Sequence, residues 1–209
     1  MMLAYKAWCE TRVRFLVSAA ALAWFCGLFV IFRPGVRDAS KMAYAEFIDE
    51  KIYDGGIRLM FTVFVVVLGL GGLLQEQARG SAAFTLSLPV TRTRLIAVRA
   101  GVGLAEMGAL ALMPALVLVV LSPMVHERCP PLVLMLSAHW AANGAAIFSI
   151  AFLLSSVFGG PYAALAASMA LLFAYALLVR QPMPIPLTPP FTMALVATSA
   201  WIAEHRDFS

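Results

Sequence analysis

Residues Leu73–Gly101 read LLQEQARGSAAFTLSLPVTRTRLIAVRAG, and this stretch decides how the chain is organised. It carries Arg79, Arg92, Arg94 and Arg99 and lies between two strongly apolar runs, Ile57–Leu74 before it and Leu95–Leu121 after it. A helix rises about 1.5 Å per residue and a bilayer core is about 30 Å thick, so about 20 apolar residues cross it. The flanking runs are therefore read as two membrane spans, and the segment between them as a connection that faces water.

Composition extends this reading to the whole chain. Of 209 residues, 62% are hydrophobic and only 12% charged, and the mean hydropathy is +0.89; a soluble domain carries about a quarter charged residues. These values exclude a soluble enzyme and predict an all-α, polytopic membrane protein forming a single transmembrane domain over 1–209. Four further apolar runs give six spans in all: Phe15–Phe32, the two already named, Leu132–Phe158, Tyr162–Val179, and a short sixth, Pro190–Ala203, extending back to Leu187. The first run is too long for a signal-peptide core and Arg33-Pro34 follows it with no small-residue cleavage site, so it is read as retained. Short-loop arginines and lysines set orientation. Lys6, Arg12 and Arg14 at one end, and Arg79, Arg92 and Arg94 in the connection, place the N-terminus and that connection on the cytoplasmic side of a cell (plasma or inner) membrane. An even span number puts the C-terminus there too.

The loop 33–56 mixes charges, with Arg33, Arg37, Lys41 and Lys51 beside Asp38, Glu46, Asp49, Glu50 and Asp54. Within it Tyr44, Phe47, Ile48 and Ile52 recur at helical spacing. This predicts either a short amphipathic helix at the outer membrane surface, ended by Gly55-Gly56, or a solvated loop with incidental aromatics. The stretch 180–190, RQPMPIPLTPP, has five prolines and reads as a stiff extended connector.

Several chemistries are absent from the sequence. No GxxxxGK[ST] cradle exists, so the chain does not bind nucleotide phosphates itself. No HExxH occurs, Ser149, Ser155 and Ser168 lack a glycine elbow, and His139 is the only histidine within a span, too few for a bis-histidine haem. Cys9, Cys26 and Cys129 have neither metal nor redox spacing. The formal charge of +4 belongs to membrane topology rather than to nucleic-acid binding. No catalytic group, metal site or cofactor is expected.

Glu106 is the one ionisable residue deep in a span, about 16 Å into the third helix by the helical rise. Intramembrane charges are costly and face protein or water. Two readings stand: a substrate-path or gating residue, or a structural glutamate bonded to neighbours such as Asn143 or His139. His139 and Asn143 are four apart and share a helix face, where they line a polar cavity or hold helices together by hydrogen bonding. In the connection, Gln75, Glu76, Gln77 and Arg79 follow the second span directly, Gly80 permits a turn, Leu88-Pro89 breaks the short amphipathic piece 81–87, and Thr91–Arg94 restarts a helix. Such a segment is either a docking element for another protein or an ordinary polar connector.

On these residues the sequence resembles the membrane subunits of ABC transporters of the type-2 exporter-like permease family. The resemblance rests on Glu76, Arg79 and Gly80 after the second span, then Leu86, Leu88, Pro89, Val90, Thr91 and Arg92, then Arg99 where the family often has lysine. Trp8–Leu16, WCETRVRFL, resembles the family's amphipathic helix before the first span, and Arg206-Asp207-Phe208 its usual ending. The resemblance implies that Gln75, Glu76, Gln77, Arg79 and Gly80 form a coupling helix docking on a separate cytoplasmic ATPase subunit. It implies that Leu88, Pro89, Thr91 and Arg92 form the coupling turn, and that ATP is bound only by that partner. It also implies pairing with a second permease copy or a related permease, within the lipid bilayer, and export as the direction. One departure is the short proline-rich link between the last two spans, where the family often has a re-entrant hairpin. Two rival functions remain beside it: a non-transporting scaffold or assembly protein using the same connection, and a proton-coupled secondary transporter using Glu106.

Overall fold

A computed structural model describes residues 2–32, 43–70, 92–127, 129–157, 166–170 and 188–205. Among these residues every regular element is helical. α1 runs Met2–Ile31, α2 is the single turn Tyr44–Phe47 continued by a π-helical stretch Ile48–Tyr53, and α3 runs Gly56–Gly69. α4 is Arg92–Leu121, followed by a 3₁₀ turn Ser122–Val125; α5 is Leu132–Val157 and α6 Thr188–His205.

Among the described residues three helical stretches are long and apolar enough to cross a membrane: Leu3–Ile31, Arg94–Val125 and Leu132–Ser155. Tyr44–Tyr53 and Gly56–Gly69, bent by 41° at their junction, make a fourth if taken as one broken span. The chain is thus a helical, membrane-embedded protein. The third and fourth expected spans coincide with α4 and α5. The second corresponds to α3, which closes at Gly69; residues 71–74 of that expectation lie outside the described residues. The fifth lies almost wholly outside the described residues. The sixth is helical as α6, yet α6 is not among the helices apolar enough to cross; Glu204 and His205 at its end and Thr188-Pro189-Pro190 at its start dilute its hydropathy.

Two expectations change. Trp8–Leu16 is not a separate amphipathic helix: it is continuous with the first span in one 30-residue helix. No proline, and no glycine before Gly27, interrupts Met2–Ile31, so nothing in the backbone calls for a break. The stretch around Tyr44 is helical as its spacing predicts, but its apolar face does not lie along an outer surface. Tyr44, Phe47, Ile48 and Ile52 are all buried, and Tyr44, Ile48 and Ile52 join the main core beside Leu22, Cys26 and Val30 of α1. Gly55 then turns the chain into α3; a β-carbon there would lie 2.3 Å from the Lys51 carbonyl oxygen, so only glycine fits.

Side-chain pairings give the helix directions. Glu10 and Thr11 of α1 meet Arg99 and Glu106 of α4, while farther along Gly27 lies against Leu121. The numbers rise together, so α1 and α4 are parallel. Tyr53 meets Ser137, Phe61 lies at Gly144 and Gly69 at Ala151, so α3 and α5 are parallel too. Gly103 faces Phe148 and Met107 faces Gly144, so α4 and α5 run antiparallel. The bundle has two helices up and two down, with α6 packed on α4 and α5.

In a membrane, lipid tails are as apolar as leucine, so helices associate by close packing and hydrogen bonds rather than by escape from water. Three glycines supply the close approach. A β-carbon at Gly69 would sit 2.8 Å from Ala151 Cβ, one at Gly103 would sit 2.5 Å from the Phe148 ring, and one at Gly144 would sit 2.8 Å from Met107 Sδ. Trp140 forms the centre of the aromatic packing, stacked on Phe61 at 4.6 Å and edge-on to Tyr53 at 5.0 Å.

Candidate functional site

Helix periodicity gathers polar groups along the seam between α1 and α4. On α1, Ala7, Glu10, Thr11 and Arg14 fall within one stripe; on α4, Arg99, Gly103 and Glu106 are spaced at i, i+4 and i+7 and share a face. Because the two helices are parallel and begin at the same end of the bundle, these stripes meet.

The Arg99 guanidinium donates to Glu10 Oε2 at 2.8 Å. Only 10% of the Arg99 side chain is exposed, against 35% for Glu10. Lys6, one turn earlier on α1, approaches the same carboxylate at 3.8 Å. The better geometry and deeper burial make Arg99 the principal partner of Glu10; the Lys6 contact is long and more than a third exposed, worth little. Deeper in the seam, Thr11 Oγ1 is hydrogen-bonded to Glu106 Oε1 and also lies 3.1 Å from the Ala7 carbonyl oxygen. Glu106 is 3% exposed, and its second oxygen, Oε2, is buried with no hydrogen-bond partner among the described residues. A cavity of about 20 Å³ opens beside this cluster, lined by Glu10, Thr11, Arg99, Gly103, Leu68 and Phe148 among others. That is room for one water molecule and for no organic ligand.

A second polar network closes the opposite end. Tyr53 Oη is 2.7 Å from Ser137 Oγ and donates to the Val133 carbonyl oxygen at 3.3 Å when not donating to the serine. Trp140 Nε1 donates to the Tyr53 carbonyl oxygen at 3.2 Å, and Tyr44 Oη is 2.7 Å from Ser122 Oγ. Every group here has a partner, and the network ties the α2–α3 bend to α4 and α5 as hydrogen-bonding glue.

The residues expected from the sequence distribute as follows. Gln75, Glu76, Gln77, Arg79, Gly80, Leu88, Pro89 and Thr91 lie outside the described residues; Arg92 opens α4. Glu106 is buried in a helix seam, but it bonds to neither His139 nor Asn143. Those two share a face as expected, yet the Asn143 amide donates to the His139 carbonyl oxygen at 3.0 Å within α5. That bond lies within α5 and uses one of the amide's two hydrogens; among the described residues Asn143 makes no bond to another helix. Glu10 and Thr11 escaped the sequence reading. A usable signal existed, since Glu10 is the only acid before Asp38; its partner across the seam depends on how α1 and α4 are rotated. Among the described residues no group of three or more His, Cys, Asp or Glu side chains could hold a metal ion. No protein-family model, curated protein or solved structure matches the chain.

Proposed function

We propose that this chain is the membrane-spanning permease subunit of an ATP-driven exporter of the ABC type. It forms the substrate pathway with a second permease copy and takes its energy from a separate cytoplasmic ATPase docked on Gln75–Gly80. The observation that carries the reading is the fastening of α4. This 30-residue helix begins at Arg92, immediately after the polar connection, and is tied to α1 by Glu10–Arg99 about two turns on and by Thr11–Glu106 about four turns on. A displacement applied to the connection would travel along α4 and carry α1 with it, since the two helices are clamped near their starts. The sequence contains apolar helices to form a pathway and no phosphate cradle of its own, which fits a division of labour with a nucleotide-binding partner. In this reading both termini and the connection face the cytoplasm.

The test is purification of the full chain from its native membrane in mild detergent, followed by reconstitution in lipid. An ATPase subunit should co-purify, and its hydrolysis should rise in lipid. The charge reversals Glu76→Arg and Arg79→Glu should lower that stimulated hydrolysis at least tenfold while leaving membrane insertion intact. A chain that purifies without an ATPase, or reversals that leave hydrolysis unchanged, would overturn the reading; gradient-driven transport lost in Glu106→Gln would point instead to proton coupling.

A further inference from the structure

We propose that Glu106 is a proton-binding site, holding its carboxyl as the neutral acid in the assembled bundle, and that this proton locks α1 onto α4. Thr11 Oγ1 is within hydrogen-bonding distance of three oxygens, the Ala7 carbonyl at 3.1 Å, the Trp8 carbonyl at 3.5 Å and Glu106 Oε1. The hydroxyl has one hydrogen, and a carbonyl oxygen only accepts. If Thr11 donates to Ala7, as helical threonines commonly do toward the residue four before them, the contact with Glu106 requires the carboxyl to be the donor. The chain then runs Glu106 O–H to Thr11 Oγ1, and Thr11 O–H to the Ala7 carbonyl, with each hydrogen used once.

Glu106 Oε2 is buried with no hydrogen-bond partner among the described residues. A carboxylate spreads its charge over both oxygens, and a buried charged oxygen without a donor is among the costliest arrangements in a protein; a neutral carbonyl oxygen in the same place costs far less. Among the described residues no charged neighbour bonds to Oε2. On α1 the nearby ionisable groups are Lys6, Glu10 and Arg14, and on α4 itself Arg99. Arg99 is turned to Glu10 at 2.8 Å and Lys6 approaches the same carboxylate. The parts of α3 and α5 that line the adjoining cavity are apolar, with Leu68, Phe148 and Phe152. His139 on α5 lies five residues beyond Gly144, which packs on Met107, hence about 7.5 Å farther along the bundle. On α6, Glu204 and His205 are confined to the last two positions.

The cavity gives the proton a route. It is lined by Thr11 together with Glu10 and Arg99 and is large enough for one water, so a water there exchanges the proton by way of the Thr11 hydroxyl that bonds Glu106. Loss of the proton would leave Glu106 Oε1 competing with the Ala7 and Trp8 carbonyls for one Thr11 hydrogen, and a charged Oε2 inside the seam. The bundle would answer by parting α1 from α4 to admit water. The direction with pH follows from linkage: a native state that holds a proton released by the unfolded chain at neutral pH loses stability as pH rises. This site stands whether or not the chain works with an ATPase.

Infrared difference spectroscopy on the full chain in lipid vesicles tests it. At neutral pH the wild type should show the carbonyl stretch of one protonated carboxylic acid, absent in Glu106→Gln and shifted in Thr11→Val, which removes its acceptor. Glu106→Gln, which mimics the neutral acid, should keep the wild-type melting temperature. A pair of spin labels at Val13 on α1 and Ala105 on α4 should separate at high pH in the wild type and stay together in Glu106→Gln. A neutral-pH spectrum lacking any acid band that depends on Glu106 would overturn the proposal, as would label separation with the same pH dependence in Glu106→Gln. Should Glu106→Gln fail to assemble, the band shift in Thr11→Val decides alone, and an unshifted band refutes the pairing.

Discussion

Replacing Gly69 by alanine adds one methyl group at the tightest approach of α3 to α5. The new β-carbon would lie 2.8 Å from Ala151 Cβ, 3.0 Å from the Phe148 carbonyl oxygen and 3.3 Å from the Phe152 amide nitrogen. None of these atoms belongs to a flexible side-chain end, and two of them are backbone, so relief requires the helices to move apart by several tenths of an ångström. Overpacking of that kind typically costs about 1–3 kcal/mol, from which the intrinsic helical advantage of alanine over glycine, about 1 kcal/mol, must be subtracted. The expected net loss is about 0–2 kcal/mol, centred near 1. The comparison that gives the number meaning is Gly101→Ala on α4. A β-carbon there would meet nothing within 4 Å, so the same substitution should gain up to about 1 kcal/mol. The two variants should therefore differ by about 2 kcal/mol in equilibrium unfolding in mixed micelles, a factor of about 30 in the folded-to-unfolded ratio. Ala151→Gly in the Gly69→Ala background removes the nearest contact but leaves the backbone ones, so rescue should be partial. If Gly69→Ala proves as stable as Gly101→Ala, or if Ala151→Gly restores nothing, helix proximity at Gly69 does not hold α3 against α5.

Three more outcomes follow from the polar contacts and the thiols. Tyr53→Phe removes a buried hydroxyl bonded to Ser137 and the Val133 carbonyl and should cost about 1–2 kcal/mol in the same unfolding assay. Ser137→Ala should cost less, because Tyr53 keeps Val133 as an acceptor, and the double variant should cost no more than Tyr53→Phe alone. Glu10→Ala deprives the nearly buried Arg99 of its 2.8 Å partner; with Glu10 itself one-third exposed, the loss should be about 1–2 kcal/mol and should shrink little with added salt. Burial pushes the Cys129 thiol above its ordinary range, so less thiolate is present at a given pH. Its alkylation in the folded protein should be slower than that of a free thiol at pH 8 and should keep accelerating as pH rises further, and Cys26, fully buried in the core, should react only after unfolding.

The extents of α4 and α5 were legible because a long apolar run bounded by Arg92–Arg94 or by Pro130-Pro131 can form little other than a helix of membrane length. The helical spacing of Tyr44, Phe47, Ile48 and Ile52 was legible too, but not what covers it. An apolar stripe beside acids reads the same whether its cover is lipid headgroups or α1, and only the fold turns it inward. Glu106 stood out as costly on sequence grounds alone. Its partner did not, since Thr11 is 95 residues away and nothing local to either residue marks the other.

The sequence alone therefore determined the medium and the secondary structure: an apolar composition commits the chain to a membrane, and in hydrocarbon the backbone must satisfy its own hydrogen bonds by coiling into helices. Only the tertiary structure decided which faces of those helices meet. Membrane helices are apolar nearly all round, so their sequences carry weak instructions about rotation, and the choice falls to a few close contacts between distant positions. Gly69 against Ala151, Glu10 against Arg99 and Thr11 against Glu106 are such contacts, fixed by how parallel and antiparallel neighbours pack rather than by anything readable within a single helix.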